Sequence, residues 1–313
     1  MSQRKLSIVI PVFNEEESLP LLYERIMENL KGISDLITDH ELLFVDDGSR
    51  DGSLAVIRGL AEKDSHVHAI VLRRNFGKAA ALSAGFDKAD GDIVITMDAD
   101  LQDDPCELRS FIEKLDEGYD LVSGWKYNRL DPLEKRLPSK LFNRVTRKMS
   151  GVNLHDFNCG FKAYRRDVVK TIDVYGEYHR YIPVLAHREG FRIAEIKVHH
   201  NKRQFGKSKY GFERYLRGLF DSMSSSFLLL FFERPMYFFG RWALMFGFLG
   251  FAAVVAQIMM WIFGVQWGAT VLLLGALALA LSFMSLCFGF LGNMITDSEY
   301  RDGSITDHIH ESF

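Results

Sequence analysis

From Trp242 to Thr296 the chain runs 55 residues without one Asp, Glu, Lys, Arg or His. A water-facing surface does not go that far without charge, so this stretch requires a bilayer. Within it, Trp242–Phe263 spans 22 residues and Ala269–Met294 spans 26. As helices they would be about 33 and 39 Å long at about 1.5 Å per residue, each enough to cross. Only Gly264–Gly268 separates them, and Trp242, Trp261 and Trp267 fall near the ends. That is the pattern of a tight transmembrane hairpin with aromatic rings at the interfaces. Arg234, Arg241 and Arg301 flank its open ends while the turn is uncharged, so the positive-inside rule puts the rest of the chain in the cytoplasm. Gly247, Gly250, Gly264 and the Ala-rich Gly275–Ala280 stretch would allow close helix contact, including an oligomer interface.

Residues 1–234 hold 72 of the 79 charged side chains, yet the net charge is only −3. That balance excludes a dedicated nucleic-acid binder and an acidic disordered tail. Cys106, Cys159 and Cys287 lie far apart, which excludes a CxxC metal site or a disulfide framework and suits a reducing compartment. Leu6–Phe13 is too short and too quickly followed by Asn14-Glu15-Glu16-Glu17 to be a secretory leader, and reads as a buried strand.

Apolar runs of strand length recur at Leu6–Pro11, Leu42–Val45, Ala69–Leu72, Ile93–Met97 and Leu121–Ser123. Helix-length stretches such as Ser18–Leu30 and Asp51–Glu62 separate them, giving the βαβ alternation of a mostly parallel sheet. Ligands of such sheets sit beyond the carboxyl ends of the strands. The polar clusters fall in those places: Asn14-Glu15, Asp46-Asp47-Gly48-Ser49, Asn75 and Asp98-Ala99-Asp100. Residues 126–148 carry eight Lys/Arg against two acids, and 197–217 carry seven against one, as a polyanion site or a membrane surface would require. Tyr210–Phe232 mixes aromatic and aliphatic residues with Arg214 and Arg217 and reads as an interfacial helix.

Asp98, Asp100 and Gln102 alternate at a strand end, so on an extended backbone they would present three hard oxygen donors together, suited to Mg²⁺ or Mn²⁺. An ion held by two carboxylates completes its shell with water and phosphate, which implies a diphosphate ligand. Asp46 and Asp47 precede a helix cap and exceed what a turn needs; a carboxylate there could accept from a base or ribose. Neither Gly-x-Gly-x-x-Gly nor Gly-x-x-x-x-Gly-Lys-Ser/Thr occurs, so Asn75-Phe76-Gly77-Lys78 is no P-loop, although Lys78 could still reach a phosphate.

Ile10-Pro11-Val12-Phe13-Asn14-Glu15, Val45-Asp46-Asp47-Gly48-Ser49, Asn75-Phe76-Gly77-Lys78, Met97 to Pro105 and Gly160-Phe161-Lys162-Ala163-Tyr164-Arg165 resemble the family-2 inverting glycosyltransferases. More narrowly, the chain resembles the polyisoprenyl-phosphate group, with its dolichyl-phosphate mannose synthases and bactoprenol glucosyltransferases. The resemblance implies a Rossmann-like GT-A domain, a nucleoside diphosphate sugar donor, Mg²⁺ or Mn²⁺, and a polyprenyl phosphate acceptor. It also implies a multi-pass protein of the bacterial inner membrane, and a homo-oligomer, a tetramer in similar proteins. Pro11, Phe13, Glu15 and Asp46 match nucleoside-holding positions, with Asp47, Lys78 and Asp98 beside them. Asp98, Asp100 and Gln102 match the metal and diphosphate motif. Arg129, Arg136, Ser139 and Lys140 fall in the basic loop for the lipid phosphate. Arg203-Gln204-Phe205-Gly206-Lys207-Ser208-Lys209 resembles the Arg-x-x-Gly-x-Ser-Lys stretch near the diphosphate, giving Arg203 and Lys209 a part in catalysis. Asp156 matches the acid before the Gly-Phe-Arg/Lys stretch. A phosphate monoester nucleophile, with a second pKa of about 6, is mostly dianionic at neutral pH, so Asp156 is expected to orient a group rather than remove a proton. Processive synthases carry Gln-x-x-Arg-Trp; here Arg241-Trp242 follows Phe238, which excludes processivity.

The expected layout is a catalytic domain over 1–209, an interfacial segment over 210–234, a hairpin over 235–296 and a cytoplasmic tail over 297–313. The expected reaction moves one sugar from a nucleoside diphosphate sugar to undecaprenyl phosphate. UDP-glucose is the first choice of donor, with UDP-aminoarabinose derivatives, UDP-GlcNAc, UDP-galactose and GDP-mannose as alternatives. The competing classes are a glycosyltransferase with a soluble acceptor, a nucleotidyltransferase, and a lipid carrier or flippase component without chemistry. The last is disfavoured by the lack of charge inside the hairpin.

Overall fold

Lys5–Val12 (β1) has six of its eight residues buried, Leu6 to Ile10 and Val12, as a central strand covered on both faces must. In the computed structural model, which describes residues 4–127, 133–176, 178–201, 235–264 and 270–302, β1 lies inside a seven-stranded sheet. The chain divides into two compact units, Met1–Ser222 and Met223–Phe313.

In the first unit, α1 (Leu19–Lys31) leads to β2 (Asp39–Asp46), α2 (Ser53–Ala61) to β3 (Val67–Val71), and α3 (Lys78–Lys88) to β4 (Ile93–Thr96). Then come α4 (Leu108–Asp116), β5 (Leu121–Lys126), α5 (Leu133–Ser150), β6 (Lys162–Arg165), α6 (Arg166–Thr171), α7 (Ile182–Arg188) and β7 (Ile193–Val198). The spatial order is β3-β2-β1-β4-β6-β5-β7. All pairings are parallel except those of β6, which runs antiparallel to both β4 and β5. The expected strands are present. β6 and β7 escaped the sequence reading because Lys-Ala-Tyr-Arg is a strand with little apolar character and Ile193–Val198 interleaves polar residues.

The chain winds outward from β1 to β3 and then returns to β4 on the other side of β1, so the β1–β4 junction is the topological switch point where α/β sheets open a crevice. Pro11 is tolerated in so central a strand because the β1–β4 ladder ends at Val9, whose carbonyl accepts from Met97 N–H. The helices bury one face each. On α4 that face is Leu108, Phe111, Ile112 and Leu115, the spacing of one apolar stripe, and Phe111 packs on Phe161 with ring centroids 4.5 Å apart.

In the second unit, α8 (Pro235–Ile262) and α9 (Thr270–Asp302) form two apolar helices, with stretches of 28 and 26 residues long enough to cross a membrane. Only 11% and 6% of the respective apolar windows is buried, unlike the core helices of a soluble protein. Helix α8 begins seven residues before the expected Trp242, and α9 continues through residues 297–302, where a tail was expected. The small residues close the hairpin on itself. A Cβ at Gly250 would sit 2.7 Å from Leu279 Cγ and 2.9 Å from Gly275 O, and Gly247 faces Ser282, whose hydroxyl donates to Ala243 O at 2.7 Å. These glycines therefore serve contact within one chain. The interfacial segment expected over 210–234 and the tail from 303 lie outside the described residues.

Helix α3 approaches β1 at Gly85, where a Cβ would lie 2.3 Å from Val9 Cγ1. Val9 is fully buried in the middle of the sheet and cannot move aside. Gly85→Ala is expected to cost about 1–3 kcal/mol by overpacking, read as a lowered melting temperature of the full chain.

Candidate active site

The loops after β1, β2 and β4 meet at the switch point. Asn14, in the left-handed region at φ 57°, lets its loop turn back on the one after β2. Its amide donates to Ser49 Oγ at 2.9 Å and its Oδ1 accepts from Arg50 N at 2.8 Å, while Glu15 N donates to Ser53 Oγ at 2.9 Å. Glu15 Oε2 accepts from Ser18 Oγ at 3.0 Å. Phe13 stands 42% exposed at this rim and Pro11 is half-buried below it.

Asp46 and Asp47 are both buried. Asp46 Oδ1 accepts from Ser49 N at 3.2 Å. Asp47 places its two oxygens on Phe76 N and Gly77 N, at 2.7 and 2.9 Å. Asp47 thus builds the turn that launches α3 and its first residue, Lys78. Gly48 permits this approach with φ +71° and no side chain; a Cβ there would lie 2.6 Å from Arg74 C.

Lys78 Nζ ion-pairs with Asp98 Oδ1 at 2.5 Å. The segment after β4 is a turn, not the extended strand the alternation assumed, and Leu101 adopts φ 62°. The alternation of burial survives nonetheless. Met97, Ala99, Leu101, Asp103 and Pro105 are buried, and Asp98, Asp100, Gln102 and Asp104 face the accessible side. Leu101 holds its strained backbone because its side chain is fully buried in the core. Gln102 is tied to Asn201, whose N–H donates to Gln102 O at 3.0 Å.

Charges that the sequence did not single out complete the cluster. Asp103 is 1% exposed; Lys126, at the end of β5, pairs with its Oδ1 at 2.9 Å, while its Oδ2 accepts from Asp98 N at 3.2 Å. Lys162, the first residue of β6 and opposite Thr96 of β4, is 2% exposed and donates to Cys159 O. Burial alone would push the Asp98 carboxyl up, but Lys78, Lys126 and Lys162 outweigh it and hold it at about 2. Burial, with the charges of Asp98 and Asp103, pushes Asp100 up to about 6. Burial likewise raises the Cys159 thiol to about 12, which leaves it inert. Gly160 is required by this cluster, because a Cβ there would lie 2.8 Å from both Asp98 oxygens and from Lys78 Nζ.

Asp156 is 2% exposed and its Oδ1 accepts from Asn158 N at 3.1 Å. It lies in the loop before β6, near Lys162. Ser139 is half-buried on α5. Arg136 and Lys140 share that helix, but their side chains, together with Arg129, Arg203 and Lys209, lie outside the described residues. Lys126 and Asp103 had left a signal, a polar residue ending a buried strand and an inward position in the alternation.

Asp98, Asp100 and Gln102 fit a hard divalent cation in donor type and in facing one side. The raised Asp100 is the mark of a carboxylate that is buried beside two other acids, Asp98 and Asp103. Among the described residues no group of three or more His, Cys, Asp or Glu side chains gathers, so the described donors at this place are two carboxylates and Gln102.

Residues 7–173 match the family described as glycosyl transferase family 2. A dodecaprenyl-phosphate galacturonate synthase of Rhizobium johnstonii is 36% identical over 97% of this chain and 91% of its own length. An undecaprenyl-phosphate 4-deoxy-4-formamido-L-arabinose transferase of Photorhabdus laumondii is 36% identical over 93% and 89%. The same-named protein of Shewanella sediminis is 44% identical over 70% of this chain, and the match spans 66% of that relative. The chain belongs to glycosyltransferase family 2. Its sheet has the GT-A form, as in glucosyl-3-phosphoglycerate synthase of Mycobacterium tuberculosis in complex with Mn²⁺, UDP-glucose and phosphoglyceric acid (TM-score 0.52, 21% identity, 71% of this chain and 79% of that one).

Two expectations follow. Lys126→Met strands the buried Asp103 carboxylate and should cost about 3–5 kcal/mol in chemical denaturation. Asp100→Asn should remove sugar transfer yet stabilise the metal-free protein. The Asp100 folded-state pKa of about 6 lies above its ordinary 3.8, so ionisation opposes folding above pH 6 and costs nothing once both states are protonated. The variant's advantage over wild type in excess EDTA, on the order of 1–2 kcal/mol, should be full above pH 6 and fade between about pH 6 and 4.

Proposed function

We propose that this protein transfers one sugar, with inversion, from a nucleoside diphosphate sugar to the phosphate of a polyprenyl phosphate at the cytoplasmic face of a bacterial membrane. The observation that carries the proposal is the convergence of Asp98, Asp100 and Gln102 beside Lys78 at the switch point of a family-2 sheet. Two relatives matched over about nine-tenths of their length are named for polyprenyl-phosphate substrates, which supports the acceptor. The apolar hairpin supports it independently, since an acceptor with a long isoprenoid tail stays in the bilayer.

Asp98, Asp100 and Gln102 would hold Mg²⁺ or Mn²⁺, which when bound neutralises charge on the departing nucleoside diphosphate. The chain's own residues do the rest. Phe13, Pro11 and Asp46 line the rim where the nucleoside would sit, and Asp47 fixes the turn that aims Lys78. Lys78, with Arg203 and Lys209, supplies positive charge to the diphosphate. Arg129, Arg136, Ser139 and Lys140 receive the acceptor phosphate, one of whose oxygens attacks the anomeric carbon as the sugar–diphosphate bond breaks. That oxygen is already deprotonated near neutral pH, so no general base is needed. Asp156, buried and tied to Asn158, fits an orienting role through the basic residues around it.

The relatives bear on the donor. Their names specify 4-deoxy-4-formamido-L-arabinose and galacturonate, and none of these names mentions glucose. A UDP-linked aminoarabinose derivative or uronate is therefore the favoured donor, ahead of UDP-glucose, UDP-GlcNAc, UDP-galactose and GDP-mannose. The test is a panel of labelled sugar nucleotides with undecaprenyl phosphate and the full chain in detergent micelles. Release of nucleoside diphosphate with one sugar on the lipid, lost in excess EDTA and restored by Mg²⁺ or Mn²⁺, is the expected result. Full turnover in EDTA would remove the metal from the mechanism, and release of pyrophosphate would replace transfer by nucleotidyl chemistry.

A further inference from the structure

Trp125 and Lys197 stand opposite each other at the carboxyl ends of β5 and β7, in register on neighbouring parallel strands and so on one face of the sheet. The Lys197 ammonium lies over two rings, 5.5 Å from the centroid of Trp125 and 4.8 Å from that of Tyr127, and those rings meet edge to face at 5.3 Å. His155 stacks on Trp125 with centroids 4.0 Å apart. Glu195 holds His155 there, accepting from its backbone N–H at 2.8 Å and pairing with its Nδ1. Tyr127 is 59% exposed, and Lys197 and His155 are exposed as well. Lys126, between Trp125 and Tyr127, points to the other face and pairs with Asp103. The transfer chemistry therefore leaves this cluster unused.

The loop that carries His155 also ties the cluster to α5. Arg147 Nε donates to Leu154 O at 2.8 Å, and Phe157 N donates to Asn143 Oδ1 at 3.3 Å. With Asn143 and Thr146 turned inward, α5 leaves Arg144, Val145 and Lys148 exposed. On both sides of the loop, then, exposed cations stand among exposed aromatic and aliphatic groups. Two acids at the ends of β7 and near it, Glu195 and Glu107, are each engaged by a histidine, His155 and His199. A sugar or a base would need an open ring to stack on, and Trp125 already carries His155 with Lys197 over it. An anionic headgroup layer asks for something else: amphipathic rings that accept the boundary between water and hydrocarbon, and long-stemmed cations that reach phosphate.

We infer that the carboxyl edge of β5 and β7, through Trp125, Tyr127 and Lys197, docks on the anionic headgroups of the bilayer, with Arg144 and Lys148 of α5 adding to the attraction. This rests on the proposed function for the presence of the bilayer. Asp156 follows His155 directly, so docking sets its loop at the plane in which the phosphate of a membrane-held acceptor lies.

The experiment uses the full chain with Trp242, Trp261 and Trp267 replaced by Phe, which leaves Trp125 as its single tryptophan. The protein is placed in vesicles of phosphatidylcholine, alone or mixed equally with phosphatidylglycerol, and lipids brominated near the carboxyl end of the acyl chain serve as quenchers. Quenching of Trp125 should be strong in the anionic vesicles and weak in phosphatidylcholine. Lys197→Gln should lower the ratio of docked to undocked chains about five-fold, the worth of one lysine at an anionic surface. High salt should do the same to the unaltered lysine, a readout that no misfolded variant can imitate. Equal emission with brominated and plain lipid in both compositions would overturn the inference. So would quenching that neither Lys197→Gln nor salt reduces, and so would a blue-shifted emission that bromine does not reach, which would mean that protein covers the surface. Sugar transfer by the wild-type chain is followed in the same vesicles. Its absence with quenching intact would remove the proposed function and leave the docking, whereas transfer without quenching would remove the docking alone.

Discussion

Asp98 is an ionised carboxylate at the carboxyl edge of an apolar sheet, and its neighbourhood is arranged to keep it so. A charge taken out of water without a partner costs several kcal/mol, more than most single contacts return. Lys78 meets it directly, and Lys126 and Lys162 add to the field through the buried Asp103 and the start of β6. Many local features follow from that requirement. Asp47 must shape the turn that delivers Lys78, Gly48 must let the loops close, and Gly160 must have no side chain because the ion pair occupies that space. Leu101 holds a left-handed backbone so that the acids face outward while their neighbours enter the core.

The same arrangement leaves one acid only partly compensated. Asp98 is paired with Lys78, whereas the Asp100 carboxyl beside it is raised by burial and by the charges of Asp98 and Asp103. Under the proposed function, a cation arriving with the nucleotide would supply the compensation that this acid lacks. This is a common compromise in active sites, where local stability is given up for binding.

The second unit obeys another solvent. Its helices expose Leu, Phe, Ile and Met over most of their length, and their glycines bring the two backbones together. In lipid, where apolar surface has no drive to hide, such close packing and the Ser282 to Ala243 hydrogen bond are what hold two helices side by side.

Much of this was legible in the sequence because the governing patterns are local. Apolar runs of three to six residues against runs above 20 separate a sheet from a bilayer, and the clusters at Asn14, Asp46 and Asp98 mark strand ends without knowledge of how strands are ordered. The period of two from Met97 to Pro105 even survives a turn, since burial of alternate residues is written in their polarity. What the sequence could not give was partnership across distance. That Asp47 accepts from the backbone N–H groups of Phe76 and Gly77 before α3, that β6 runs antiparallel and brings Lys162 opposite Thr96, and that Lys126 neutralises Asp103 depend on strand order. The sequence alone determined which segments must be buried, which must sit in lipid and which acids stand at strand ends, because these are properties of a residue and its near neighbours. Only the tertiary structure decided which charge faces which, because Coulomb energy in a buried site depends on distances that chain separation does not encode.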